Sequence, residues 1–167
     1  YFTRHDGEAC TIEDWLKVFE DATGRDLSQF GRWYSQAGTP RLHVEDEFRD
    51  GTYTLRLRQE TPPTPGQPDK RPLVIPVAVG LLGANGDEVV PTTVLEMTEA
   101  EQSFRFEGLA ARPVPSILRG FSAPVILTRE AANAERAFLL AHDTDPFNRW
   151  EAGRSLMRET LLAMLTE

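Results

Sequence analysis

The stretch Asp26–Pro40, D-L-S-Q-F-G-R-W-Y-S-Q-A-G-T-P, is where helical sequence gives way to strand sequence. Asp26 is a helix-capping residue type, and Gln29 stands three residues on as its reciprocal partner. Phe30, Trp33, Tyr34 and Ala37 recur at helical spacing, so a helix over this stretch carries them on one apolar face. Gly38 falls where a left-handed cap is expected, and Pro40 keeps the helix from continuing. From Arg41 onward the period is two. Trp33, Tyr34, Gly38 and Pro40 are thus the expected junction between a helical segment and the first strand of a different module.

Working outward toward the N-terminus, Thr11 and Asp14 resemble a capping box with Asp in place of the usual Glu. Ile12, Trp15, Leu16, Phe19 and Ala22 then make a helical stripe that Gly24 ends. The two short helices are expected to meet at a steep angle, with aromatic faces that want a larger partner surface.

Toward the C-terminus, Leu42, Val44, Asp46 and Phe48 alternate with Arg41, His43, Glu45 and Glu47, although Asp46 interrupts the apolar side. Asp50-Gly51 signals a hairpin, and Tyr53, Leu55 and Leu57 continue on the return strand. Thr61–Pro72 holds five prolines and reads as a stiff surface loop. Its P-x-x-P spacings are the weaker reading. Leu73–Leu82 is apolar throughout around Pro76, either a strand buried on both faces or an edge strand. Val89–Met97 and Ser103–Phe106 add strands, and Ile117, Leu118 and Phe121, then Val125–Leu127, give the last ones. About seven short strands with regular turn signals predict an α+β chain: an antiparallel immunoglobulin-like β-sandwich flanked by helices at both ends. After Thr128 the helical period returns. Ala131–His142 is one helix, and Asp145-Pro146 caps a last one that runs to Glu167.

The bulk numbers narrow the function classes. With 167 residues and net charge -8, nucleic acid is a poor default partner, because phosphate binding relies on clustered Lys and Arg. One cysteine rules out an internal disulfide framework and fits a reducing compartment. No apolar run approaches the ~20 residues that span a bilayer, so no membrane partner is expected. Tyr1 opens the chain without a start signal, which reads as a piece of something longer.

Reactive constellations are sparse. His5, His43 and His142 lack a second His at i+4, so no helix offers the H-E-x-x-H pair. Cys10 precedes a helix N-terminus with only His5 nearby as a base, and a structural role is favoured. Glu45-Asp46-Glu47 reads as a solvated strand end rather than a cation site. Gly83 and Gly86 match no phosphate-cradling motif. The aromatic cluster of Trp15, Phe19, Phe30, Trp33 and Tyr34 is more naturally interdomain core than a stacking platform.

Several strings carry a specific resemblance: Tyr1–Gly7 (Y-F-T-R-H-D-G), Asp26–Pro40, Arg71–Pro76 (R-P-L-V-I-P), Pro113–Val125 (P-V-P-S-I-L-R-G-F-S-A-P-V) and Pro146–Ala152 (P-F-N-R-W-E-A). In this order they resemble the bacterial aminopeptidase N family, zinc metallopeptidases of the gluzincin type. The resemblance implies three parts: residues 1–38 as helices ending a catalytic domain, 39–129 as a β-sandwich, and 130–167 as the first helices of a C-terminal helical domain. It also implies a cytoplasmic parent enzyme that uses zinc to remove N-terminal residues from peptides. The family's H-E-x-x-H-x18-E zinc site, its G-A-M-E-N loop and a matching transition-state tyrosine are absent from the sequence. No catalytic, cofactor or metal residue is therefore carried over. The implied role is a structural linker whose partners are the rest of the parent chain, with self-association through residues 1–25 and 147–165 where apolar helix faces lie bare. A free-standing sandwich module that binds peptide or carbohydrate is the alternative.

Overall fold

Alternating side chains build two sheets that face one another. The computed structural model describes residues 1–165. Strands β1 (Arg41–Arg49) and β2 (Thr52–Glu60) form the hairpin, paired in register from Arg41–Glu60 to Arg49–Thr52. Asp50 and Gly51 turn it with φ of 48° and 74°, the left-handed pair that an Asp-Gly turn supplies. Strands β3 (Ile75–Leu82), β4 (Glu88–Met97), β5 (Glu101–Phe106), β6 (Val114–Ile117) and β7 (Ile126–Thr128) follow. One sheet has the order β5-β2-β1-β7 and the other β4-β3-β6. Of the five strand pairings four are antiparallel, and β7 runs parallel to β1, with Arg41 opposite Ile126.

The apolar face of each sheet fills the space between them. Leu42, Val44, Tyr53, Leu55 and Leu57 from the first sheet meet Ile75, Val77, Val79, Leu81 and Met97 from the second. Strand β3 is central in its sheet and buried on both faces from Val77 to Leu82, which explains its unbroken apolar run. Pro76 is tolerated because β6 pairs with β3 only from Val79 onward.

Helices stand at both ends. Helices α1 (Phe2–His5) and α2 (Ile12–Thr23) precede a single turn, α3 (Arg32–Ser35). The Thr11–Asp14 capping box forms as expected, and Gly24 ends α2 in the left-handed conformation with φ 69°. Helices α4 (Asn133–His142) and α5 (Pro146–Met164) follow the sandwich, and Asp145 caps α5 with Pro146 in its first turn. The expected continuation of this helix over Thr166 and Glu167 lies outside the described residues.

Three expectations are corrected. The helix expected from Asp26 shrinks to α3. Asp26 Oδ1 accepts from the nearby Ser28 N–H at 2.8 Å, and Gln29 turns its amide to the sandwich instead of to a cap. Leu118 and Phe121 are not strand. Residues Arg119–Phe121 form a tight turn, and Leu118, Gly120 and Phe121 all have positive φ (60°, 62° and 54°). Asp46 is no solvated strand end: its side chain is 9% exposed and lies between Arg112 and Arg129.

Candidate functional site

The polar side chains that the fold buries or pins gather at the two ends of the sandwich. At the first end, residues 71–74 approach β3 without a strand partner, so their carbonyls need other donors. Side chains supply them. Gln36 Nε2 donates to Arg71 O at 3.0 Å, Arg32 Nη1 to Pro72 O at 2.6 Å, and Trp33 Nε1 to Val74 O at 2.7 Å. From the opposite side the buried Gln59 of β2 acts as a substitute strand for Leu73, with Nε2 donating at 2.9 Å and Oε1 accepting at 2.8 Å. Gln29 adds a bond to Thr98 O at 2.6 Å. Around the proline loop, Gln67 Oε1 accepts from Ala37 N–H at 2.8 Å, and Lys70 Nζ donates to Ala37 O at 2.7 Å.

The four junction residues separate in this setting. Trp33 is partly buried and packs against the sandwich core, so it offers no concave stacking platform. Tyr34 differs from the expected core position. It is 49% exposed and meets Phe30 edge-on at 6.2 Å. Gly38 has φ 102°, and a Cβ there would lie 3.1 Å from Thr61 Cγ2, so both backbone and space call for glycine. Pro40 is fully buried, and its carbonyl accepts from Ile126 N–H at 2.9 Å, which starts the β1–β7 pairing.

The second end is organised by Arg119, which is 5% exposed. Its guanidinium donates to Ser116 Oγ at 2.9 Å, Glu88 Oε1 at 2.5 Å, Thr92 Oγ1 at 2.8 Å and Asp143 Oδ1 at 3.1 Å. Glu88 and Thr92 belong to β4, and Asp143 ends α4. One cation therefore ties a sheet to the helical pair. Gly80 makes the room, since a Cβ there would stand 2.3 Å from Arg119 Cζ. The α4–α5 corner is pinned again by Gly120 N–H donating to Asp145 Oδ2 at 3.0 Å. Asn148 Nδ2 adds bonds to Ser116 Oγ at 2.7 Å and Ile117 O at 3.0 Å. Hydrogen bonds from the Thr144 hydroxyl and then Arg119 hold the Glu88 carboxyl below its usual range.

A third ion-pair group lies beside it. Arg129 bridges Asp46 of β1, at 3.0 Å, and Glu135 of α4. Burial pushes the Tyr53 phenol up, with the Asp46 charge adding to the shift. Among the described residues the Tyr53 hydroxyl has no hydrogen-bond partner at bonding distance.

The histidines occupy three separate places. His43 Nε2 lies 3.3 Å from Glu60 Oε1 on the outer sheet face, and His142 stacks at 4.7 Å on Phe138. His5 does meet Cys10, together with Glu8, their ligand atoms lying within 4.8 Å of one another. The three histidines therefore do not assemble the zinc site of a gluzincin. Arg119, Asp143, Asn148 and Gln59 escaped the reading of the sequence. The available signals were a lone Arg in the apolar string P-S-I-L-R-G-F and a lone Gly inside β3.

A seven-stranded immunoglobulin-like sandwich with a helical pair pinned to its end defines a class of protein. The chain belongs to the family described as "Domain of unknown function (DUF3458) Ig-like fold", which matches residues 38–130. A second family model, described as "Domain of unknown function (DUF3458_C) ARM repeats", matches residues 133–167. Curated relatives of the chain include aminopeptidases N. The one from Escherichia coli (strain K12) is 44% identical and covers 94% of this chain, and that from Caulobacter vibrioides is 49% identical over 97%. A solved structure titled Legionella pneumophila aminopeptidase A in complex with aspartic acid superposes with a TM-score of 0.87, at 33% identity over 99% of the chain. The chain spans about a fifth of the length of each of these relatives.

Proposed function

We propose that the chain serves as the non-catalytic linker of a zinc aminopeptidase, holding a helical domain at a set angle to a catalytic domain. The parts are residues 1–38, 39–129 and 130–167, with the first and last belonging to the flanking domains. The observation that carries this reading is the match to aminopeptidases N along nearly the whole chain, in a sequence without H-E-x-x-H. The two stitched ends support it. A tether that only joined two domains would not need side chains to satisfy four successive carbonyls, nor a desolvated arginine at its other end.

In this reading the parent enzyme's zinc, its peptide substrates and its cytoplasmic location belong to the whole protein. The residues of this chain bind none of the substrate; they set where the neighbouring domains stand. Trp33 and Gln36 orient the helices on one side, and Arg119 and Asn148 orient α4 and α5 on the other. The test is direct. The purified chain, supplied with zinc, is incubated with alanyl and arginyl chromogenic substrates. No turnover is the expected result, and hydrolysis sensitive to chelators overturns the reading.

A further inference from the structure

The segment His5–Cys10, H-D-G-E-A-C, joins α1 to α2 and folds back on itself. Gly7 reverses the chain with φ 78°, and Glu8 N–H donates to His5 O at 3.2 Å. The reversal gathers three different ligand types. The ring nitrogen of His5, the Glu8 carboxylate and the Cys10 sulfur lie within 4.8 Å of one another. His5 Nδ1 is 3.5 Å from Glu8 Oε2. The His5 side chain is 22% exposed and Cys10 is partly buried, whereas Glu8, 66% exposed, forms an open rim. The Tyr1 ring flanks His5 at 5.5 Å, and the nearby Asp14 carboxylate is already held by Thr11.

An i,i+3 pairing joins His5 to Glu8, and the Cys10 thiol stands within hydrogen-bonding reach of the Tyr1 phenol, so the three ligand types are held side by side in one turn. A metal ion would draw on all three at once. We propose that His5, Glu8 and Cys10 bind a zinc-class divalent cation, with water completing a tetrahedron, and so staple α1 to the start of α2. One imidazole nitrogen, one carboxylate oxygen and one thiolate sulfur suit zinc or cobalt and not magnesium or calcium. A neutral imidazole and two anions balance the charge of the ion. Metal–ligand bonds of about 2.0–2.3 Å place tetrahedral donors roughly 3.3–3.8 Å apart. The 3.5 Å between His5 Nδ1 and Glu8 Oε2 already falls in that range, and the 4.8 Å limit on the three atoms leaves a small adjustment to the Glu8 and Cys10 side chains. Binding displaces the thiol proton to solvent and leaves every oxidation state unchanged.

The site is tested with the reduced chain, its amino terminus blocked so that the free amine supplies no ligand. Titration with cobalt(II) is expected to give one equivalent of tetrahedral metal with a sulfur-to-cobalt band in the near ultraviolet, and zinc is expected to displace it. Cys10→Ser abolishes the band, and His5→Ala weakens binding at least ~10-fold, whereas His43→Ala leaves it unchanged. Zinc also raises amide-exchange protection across residues 2–12, and not in Cys10→Ser. No band at stoichiometric cobalt, or a band of undiminished affinity in His5→Ala, overturns the proposal.

Discussion

Arg119 shows how one side chain sets the geometry around it. A buried guanidinium must find partners for its donors, and it finds two carboxylates and two hydroxyls on three elements. Leu118 and Phe121 take left-handed backbone conformations that bulky residues avoid, and the turn survives because the anchored arginine between them over-determines it. Arg119→Met leaves Asp143 buried without its cation and is expected to cost about 3–5 kcal/mol, read from denaturant melts. Gly80→Ala drives a methyl into the same guanidinium and should cost about 1–3 kcal/mol. The two changes share one mechanism, so the double variant is expected to lose clearly less than the sum; strict additivity would show that Gly80 and Arg119 act separately. Trp33 is the residue of greatest consequence at the other junction. It is only partly buried, so Trp33→Ala should cost about 2–3 kcal/mol, below the range for fully buried aromatics. Trp33→Phe, which removes the bond to Val74 O and keeps most of the packing, should cost about 1 kcal/mol. Equal losses for the two variants would assign the effect to the hydrogen bond alone.

At the scale of elements, the helical pair α4–α5 depends on charges that β4 presents to it. The folded-state pKa of Glu88 is depressed, so its contribution is present above the unfolded value near 4.5 and is lost as pH falls through the folded value. Docking of α4 and α5 should therefore weaken below about pH 4.5, before the sheet core opens. Amide exchange compared at pH 7 and pH 4 checks this: α4 and α5 should lose protection while β2 and β3 keep theirs. Glu88→Gln should lower helix protection at pH 7 and flatten the acid dependence. Simultaneous loss in helices and strands would refute a separate docking step. The element boundaries follow the same logic. Helix α2 was legible because its capping box, apolar stripe and Gly24 are all local. The segment after Asp26 was not, because Gln29, Arg32, Trp33 and Gln36 spend their donors on residues 71–74 and Thr98, some 35 to 69 positions away.

For the whole molecule, apolar area lies bare at both ends. Phe2 is 77% exposed, and along α5 Trp150 is 58%, Met157 65% and Leu161 56% exposed. In the proposed role these faces meet neighbouring domains. The chain on its own is then expected to self-associate as concentration rises, measured by sedimentation velocity. Met157→Lys with Leu161→Glu should restore the monomer, and a monomeric wild-type chain at high concentration would count against bare docking faces.

The sequence by itself determined the class of fold, because strand alternation, the Asp50-Gly51 turn, the Thr11 and Asp145 caps and the proline loop are local signals that need no distant partner. It also carried the family, through strings such as R-W-Y-S-Q-A-G-T-P. Only the tertiary structure decided where the isolated polar residues go. Asp46 looked like a flaw in an apolar strand and is the acceptor for two arginines. Leu118 looked like strand and is the start of a left-handed turn. Gln59 carried no local sign of its burial, and Arg119 only that of a lone charge in an apolar string. The reason is physical: a lone buried polar group is stable only when groups far away in sequence complete its hydrogen bonds, and periodicity cannot report which distant groups the fold brings near.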